Sequence, residues 1–262
     1  MIPTPEIPPE VEILPGVELD ELWERYQLFE PLHFDQDLLV PMSEAELGRV
    51  VAALGPRPGM RILDIACGHG TLLLRIAERH AVEAVGIDES PWAVTRAAER
   101  GRRAPLRGRV RWIIGHGIDA PEGPFDLVAC IGASWIWHGF RGTVEAMARR
   151  LRPGGRIAVG DLRLREGAPQ PEEGRVLTRA EQLEILRAAG LEPLGEIVAA
   201  PASWFRYEQA VLASAEAYAL AAPGHPIRDR RAFAREWIAE LERDRSRLTW
   251  SVWVARHPGG RS

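Results

Sequence analysis

One segment near residue 60 constrains the fold more than any other part of the chain. The apolar run 61–66 is followed by a turn that contains Gly68 and Gly70, and then by the amphipathic segment 72–79. This pattern predicts a β-strand, a tight turn and an α-helix whose N-terminus faces the ligand side of a sheet. Glycine in the turn permits positive φ and lets a ligand approach the backbone closely. The segment therefore predicts an α/β sheet with a small-molecule site above the turn.

Two acidic residues define the chemistry of that predicted site. Asp64 lies near the end of the first strand, and Asp88 follows a second apolar run, 82–87. An acid roughly twenty residues past the turn suits the two hydroxyls of a ribose. Asp64 would repel a pyrophosphate and attract an ammonium group, and Leu73 replaces the third glycine of a dinucleotide-binding turn. A ligand with both a ribose and a cationic amino group is S-adenosylmethionine, so a nicotinamide dehydrogenase is disfavoured.

The segment 64–70 also closely resembles the first motif of class I S-adenosylmethionine-dependent methyltransferases. Segments similar to later motifs follow in order at 115–120, 125–130, 151–159 and 178–194. The resemblance covers about residues 45–200, and 248–256 can supply a last strand. It implies a Rossmann-like α/β fold, with a seven-stranded, mostly parallel sheet, helices on both faces, and S-adenosylmethionine as the cofactor. It does not identify the substrate.

The resemblance also implies which residues bind the cofactor. Asp119 corresponds to an acid that usually meets the adenine amino group. Glu89 departs from the family, because the residue after the ribose acid is often apolar and lies against the adenine. That contact is expected from Trp92 or Ile118 instead. The predicted cofactor-binding residues are Asp64, Ala66, Cys67, Gly68, Gly70, Asp88, Glu89, Ile118, Asp119 and Cys130.

The segments that flank the alternating strands and helices suggest additional elements. Helical spacing of apolar residues predicts an N-terminal helix from Leu19 to Phe29. An insertion before the last strand indicates two helices, 204–222 and 231–247, which we expect to form a lid over the strand ends. The predicted parts are a proline-rich extended arm (1–16), a methyltransferase domain (17–201 and 248–256), the insertion (202–247) and a loose tail (257–262).

The loop after the fourth strand, 131–140, is expected to face the transferred methyl group. His138 is the candidate catalytic base, because a neutral imidazole accepts a proton near pH 7; alternatively, it caps or packs the helix that starts near Gly139. The aromatic residues of this loop, the N-terminal helix and the insertion are either substrate walls or core. The two helical segments are a lid, a dimer interface or a satellite core. The candidate substrate-site residues are Trp23, Tyr26, Ser134, Trp135, Trp137, Trp204 and Tyr207.

Composition excludes several classes of protein. All 33 basic residues are arginine, so Schiff-base chemistry and a phosphate-binding loop lysine are excluded. The chain has 2 cysteines and no metal-ligand spacing, which predicts a reduced, cytoplasmic protein without a metal. The net charge of −4 argues against nucleic-acid binding, and no apolar run approaches the ~20 residues that span a membrane.

These observations predict an S-adenosylmethionine-dependent methyltransferase that acts on an oxygen, nitrogen or carbon of a small molecule. The alternatives are a protein or RNA methyltransferase, and a non-catalytic S-adenosylmethionine-binding regulatory or partner protein. The expected oligomeric state is a monomer or a homodimer.

Overall fold

The computed structural model describes residues 5–27, 29–33, 36–171, 174–221 and 245–259, together with 232, 234–236, 238–239 and 242–243. Its strands are β1 (Glu12–Ile13), β2 (Arg61–Ile65), β3 (Glu83–Asp88), β4 (Arg109–Ile114), β5 (Phe125–Ile131), β6 (Leu151–Leu164), β7 (Glu192–Val198) and β8 (Leu248–Arg256). Its α-helices are α1 (Leu19–Tyr26), α2 (Glu44–Leu54), α3 (Thr71–Arg79), α4 (Pro91–Arg103), α5 (Phe140–Arg149), α6 (Arg179–Ala188) and α7 (Pro201–Ala221).

The strands form one sheet in the order β1-β4-β3-β2-β5-β6-β8-β7. Among the described strands, β8 is antiparallel to both of its neighbours, β6 and β7, and the other pairs are parallel. The predicted mostly parallel sheet is therefore confirmed, with one strand more than the expected seven. The additional strand β1 lies within the predicted extended arm, where Glu12 pairs in parallel with Ile113 of β4. An extended backbone offers free amides, and the unpaired edge of β4 accepts them.

Two apolar layers cover the two faces of the sheet. Helices α2, α3 and α4 contribute to one buried cluster, and α5 and α6 contribute to the other. A third, smaller cluster joins Leu32 to Tyr207, Val211 and Ala215 of α7. The N-terminal segment and the insertion therefore pack together beside the sheet.

Helix starts follow the local sequence. Ser43 accepts a hydrogen bond from the Glu46 amide, while the Glu46 carboxylate accepts one from the Ser43 amide, and the two bonds form a capping box at the start of α2. The N-terminal helix ends at Tyr26, three residues earlier than expected, and a short 3₁₀ helix follows at Glu30–His33. The first predicted helix of the insertion corresponds to α7. Positions 231, 233, 237, 240, 241 and 244 of the second, 231–247, and the tail residues 260–262 lie outside the described residues.

Candidate functional site

A cavity of about 730 Å³ opens above the carboxyl ends of β2, β3 and β5. Three other segments complete its wall: α1, the connection between α1 and α2, and the first turns of α7. In an open parallel sheet, the ends of the strands leave such a crevice where neighbouring connections run in opposite directions. The cavity therefore lies where the sequence placed a ligand.

The glycine turn forms the floor of the cavity. Ala66 and Gly68 both have positive φ, 57° and 51°. The Gly68 amide donates to the Asp88 carboxylate at 2.8 Å, and a Cβ on Gly68 would approach the Leu39 side chain to 2.9 Å. Ala66, Cys67 and Gly68 line the cavity.

Gly70 requires a different explanation from the one predicted. It does not line the cavity, and a Cβ there would clash with the buried ring of Trp112. Its φ of 73° starts α3, so its lack of a side chain serves the packing of α3 against the sheet.

Asp64, which is buried, and Asp88, which is half-buried, lie on neighbouring strands, and both line the cavity. Burial, and then the charge of Asp88, raise the pKa of Asp64 to about 7. No described residue donates a hydrogen bond to the Asp64 carboxylate. Burial raises the pKa of Asp88 to about 6, although the amides of Ser90 and Gly68 donate to it. Ionised Asp64 thus needs a cation that the described part of the chain does not supply.

Glu89 is the centre of a polar cluster at the edge of the cavity. Its carboxylate accepts hydrogen bonds from the Tyr26 hydroxyl at 2.6 Å and from His116 Nδ1 at 2.5 Å, and Arg25 lies 3.4 Å away. These donors together lower the pKa of Glu89 despite its partial burial. Tyr26, a predicted substrate residue, therefore lies beside a predicted cofactor residue.

The three remaining predicted cofactor residues lie in three places: at the cavity, on the exposed surface and in the core. Ile118 lines the cavity and is 58% exposed. Asp119 is exposed and does not line it, because the short 3₁₀ helix Gly117–Asp119 turns this residue outward. Cys130 is buried in the core beneath α5, since successive residues of β5 face opposite sides and the next one, Ile131, lines the cavity.

Some of the predicted substrate residues line the cavity and others do not. Trp204 and Tyr207 of α7 line the cavity, as does Trp135, which is 60% exposed. Trp23 packs edge-on against Trp92, with 4.9 Å between ring centroids, and neither ring lines the cavity. Of the two residues expected to pack against the adenine, Ile118 lines the cavity and Trp92 does not.

The loop after β5 does not bring the candidate base to the cavity. A 3₁₀ helix, Ser134–Trp137, directs Trp135 and Ile136 toward the cavity, while Trp137 packs on the core. Ser134 does not line the cavity, and its hydroxyl donates to Asp161 at 2.6 Å. His138 has φ of 57° at the end of this 3₁₀ helix and is exposed outside the cavity. Its prediction as a catalytic base is not supported by this geometry.

Sequence reasoning missed a continuous part of the wall, the segment 37–42 between α1 and α2. Leu38, Leu39, Val40 and Met42 line the cavity from this segment. In the sequence, this segment is an apolar run whose spacing matches neither a strand nor a helix. Leu162 of β6 and Trp250 of β8 also line the cavity and were missed.

A buried polar network beneath the wall was also missed. Glu30 accepts the Ser90 hydroxyl at 2.5 Å and lies 3.4 Å from His69 Nε2, while His69 Nδ1 contacts the Gln36 carbonyl oxygen at 2.8 Å. Glu30 and His69 both line the cavity. The network ties the N-terminal segment to the glycine turn.

Within the described residues, no group of three His, Cys, Asp or Glu residues is placed to hold a metal ion. Among the helices that the structure describes, none has the length and apolar character needed to cross a membrane.

Comparison with known proteins relates this site to a family. A profile described as "Methyltransferase domain" matches residues 62–155. The 27-O-demethylrifamycin SV methyltransferase of Amycolatopsis mediterranei is 32% identical over 201 residues, 67% of this chain and 70% of that protein. YjhP of Escherichia coli is 32% identical over 181 residues, 65% of this chain and 73% of that protein.

A solved structure extends the likeness to the whole fold. The S-adenosylmethionine-dependent methyltransferase of Geobacter sulfurreducens, solved with S-adenosyl-L-homocysteine, has a TM-score of 0.80 and 27% identity, covering 87% of this chain and 97% of that one. The relatives and the site indicate the same family, because the site contains the glycine turn and the acids at the ends of two neighbouring strands. The chain belongs to the S-adenosylmethionine-dependent methyltransferase family.

Proposed function

We propose that this methyltransferase transfers the methyl group of S-adenosylmethionine to an oxygen, nitrogen or carbon of an uncharged, largely apolar small molecule. The observation that carries the proposal is the apolar half of the cavity. Leu162, Trp204 and Trp250 face it from one side, and the segment 37–42 from another. Its one described arginine, Arg25, is near Glu89, so no arginine is left for an anionic substrate.

The similarity to a 27-O-demethylrifamycin SV methyltransferase favours oxygen as the acceptor atom. An apolar chamber with a few polar groups is also typical of small-molecule sites. The volume of about 730 Å³ lies within the range of such sites.

The acidic half of the cavity fits the cofactor. In our proposal, the Asp64 carboxylate binds the amino group and Asp88 binds the ribose hydroxyls, while Gly68 leaves room for close approach to the backbone. Ala66, Cys67, Glu89 and Ile118 are further proposed contacts. The bound cofactor supplies an electrophilic methyl group on a sulfonium sulfur.

Much of the rate in such a displacement can come from alignment of the reacting atoms in a site that excludes water. We propose that α1, the segment 37–42 and the insertion form the cover of the site, and that 17–201 with 248–256 form the catalytic domain. The third apolar cluster, which joins Leu32 to α7, supports a cover that acts as one unit.

The proposal is tested by incubating the enzyme with S-adenosylmethionine and a panel of phenols, alcohols, amines and polyketide-like compounds. The readout is acceptor-dependent formation of S-adenosylhomocysteine, with the methylated product identified by mass spectrometry. Asp64→Asn is the control for turnover at this site. If the cofactor binds and no panel compound is methylated, while protein or RNA is, the small-molecule proposal is wrong.

A protein substrate is the second candidate. Ribosomal protein L11 methyltransferase of Stenotrophomonas maltophilia is 30% identical over 139 residues, but this match covers 53% of this chain and 42% of that protein. Binding of the cofactor without turnover on any substrate would instead favour a non-catalytic partner.

We further propose a cytoplasmic enzyme that does not bind nucleic acid and is a monomer or a homodimer. Free, buried Cys67 and Cys130 support a reducing compartment, and the acidic net charge of −4 disfavours a nucleic-acid surface.

A further inference from the structure

A buried histidine meets a cavity-lining tyrosine outside the proposed cofactor contacts. His33 is fully buried, and its Nε2 lies 2.9 Å from the Tyr207 hydroxyl. Its Nδ1 lies 3.1 Å from the Phe29 carbonyl oxygen. A carbonyl oxygen only accepts hydrogen bonds, so Nδ1 carries a hydrogen. In the neutral ring, Nε2 is then the acceptor, and the Tyr207 hydroxyl donates to it.

Of the two residues, Tyr207 is the one that lines the cavity. It lies one helical turn beyond Trp204, in the apolar half that we assign to the substrate, and its side chain is largely buried. His33 belongs to the 3₁₀ helix that packs against α7 and does not line the cavity. A substrate in the cavity can therefore contact Tyr207 but not His33.

The surroundings set the charge states of the two groups at neutral pH. Burial lowers the pKa of His33 to about 4, against weaker opposing effects from its hydrogen bond to the Phe29 carbonyl and from the carboxylate of Glu30; His69 lowers it further. His33 is therefore neutral at pH 7, and its Nε2 accepts the hydrogen bond of Tyr207. Burial raises the pKa of Tyr207 well above its usual range, so its hydroxyl keeps its hydrogen.

We propose that Tyr207 is the catalytic proton acceptor for the substrate hydroxyl or amine, and that His33 takes the hydrogen of Tyr207. This inference rests on the proposed function, because it requires an acceptor that loses a proton. As the oxygen–methyl bond forms and the methyl–sulfur bond breaks, the acceptor proton moves to the phenol oxygen, and the Tyr207 proton moves to Nε2 of His33. The positive charge of the sulfonium is thereby replaced by that of the imidazolium.

A weak base is sufficient for this transfer. The acceptor hydroxyl becomes strongly acidic as its oxygen gains a bond to carbon. Transfer of its proton late in the reaction is therefore favourable in free energy. Glu30, whose negative charge favours the charged form of His33, stabilises the imidazolium once it forms. The pair thus supplies a base at the cavity wall, where His138 does not lie.

The activity test uses Tyr207→Phe, His33→Gln and the contrasting variant Tyr26→Phe with an acceptor found in the panel. Tyr207→Phe is expected to lower kcat by ~10²–10⁴-fold, the usual range for loss of a general base, with the Kd for S-adenosylhomocysteine within about twofold of wild type. Tyr26→Phe removes the other cavity tyrosine hydroxyl and should raise the cofactor Kd instead. A Tyr207→Phe kcat within about threefold of wild type overturns the proposal.

His33→Gln separates proton transfer from positioning. The glutamine amide oxygen can still accept the Tyr207 hydrogen bond but takes up no proton at neutral pH. We expect a loss of kcat as large as that of Tyr207→Phe. Wild-type kcat in His33→Gln would mean that His33 only orients Tyr207.

Nitrogen NMR of the complex with S-adenosylhomocysteine tests the pair without any acceptor, so it is independent of the proposed function. His33→Gln assigns the His33 signals. Between pH 6 and 8 we expect a neutral ring with its hydrogen on Nδ1, and a shift of the Nε2 signal in Tyr207→Phe. An imidazolium, or a hydrogen on Nε2, in that range would leave no site for the proton and overturn the inference. Failure of every acceptor in the panel, with the expected NMR result, would instead count against the proposed function.

Discussion

Replacing Asp64 by asparagine should stabilise the ligand-free protein and weaken cofactor binding at the same time. The folded protein raises the pKa of Asp64 from its ordinary value of 3.8 to about 7. Since the folded pKa lies above the unfolded one, the folded state prefers the protonated acid. The stability from that preference is full below about pH 4 and is lost as the pH rises through 7.

The magnitude follows from the shift. About three pKa units at ~1.4 kcal/mol each correspond to ~4 kcal/mol as an upper bound on the cost of ionised Asp64 at pH 8. Asparagine removes this charge in nearly the same volume. At ~2–4 °C per kcal/mol, Asp64→Asn should raise the melting temperature at pH 8 by several degrees, with little change at pH 4.

Cofactor binding should respond in the opposite direction. An ammonium group binds the ionised acid, so wild-type affinity for S-adenosylhomocysteine should fall about tenfold from pH 8 to pH 6. Asp64→Asn should bind ~10–100-fold more weakly at pH 8, since it loses one charge-assisted contact of ~1.5–3 kcal/mol, and should lose most of the pH dependence.

Scanning calorimetry and isothermal titration calorimetry at several pH values measure both effects. Asp161→Asn is the matched control, because Asp161 is an acid of raised pKa outside the cavity. It should leave the affinity and its pH dependence near wild type. An Asp64→Asn protein that is no more stable at pH 8, or that binds like wild type, would refute the reasoning.

Three further variants test individual assignments. Gly70→Ala should lower the free energy of unfolding by ~2–4 kcal/mol in a urea titration, because the new methyl group meets Trp112 at positive φ; unchanged stability would contradict this packing role. Tyr26→Phe should weaken S-adenosylhomocysteine binding several-fold by calorimetry, since Glu89 loses its 2.6 Å donor; a change confined to kcat would place Tyr26 with the substrate. His138→Ala should retain turnover within about threefold of wild type in the product assay, and a ~10²-fold loss would restore it as the base.

The sheet could be predicted because its signals are local. Strands β2, β3 and β5 contain apolar runs of about the correct length, and the capping box at Ser43 and Glu46 appears directly in the sequence. The acids at the strand ends follow from the same logic, since parallel strands bring their carboxyl ends to one edge of the sheet.

The substrate half of the site could not be predicted because its geometry is not local. A single 3₁₀ turn decides that Trp135 faces the cavity while His138 does not, and the spacing of the loop residues carries no such information. His33 and Tyr207 are 174 positions apart, so no periodicity pairs them. They meet only because the N-terminal segment packs on α7.

The cover of the site leads to a last prediction, in which the segment 37–42 responds most strongly to the cofactor. The segment is fixed at both ends. The hydroxyl of Thr71 donates to the Asp37 carbonyl oxygen, Arg100 lies 3.2 Å from the Asp37 carboxylate, and the capping box of Ser43 holds the other end.

Between these anchors, the side chains rest on the glycines of the floor. A Cβ on Gly68 would come within 2.9 Å of Leu39, and one on Gly132 within 2.8 Å of Val40. A ligand that fills the space over those glycines must contact the same side chains and hold the segment between its anchors. Hydrogen exchange should therefore slow more in 38–42 than in α1 when S-adenosylhomocysteine is added, at constant oligomeric state. Protection gained in α1 alone would mean that the N-terminal helix, rather than this segment, closes over the cofactor.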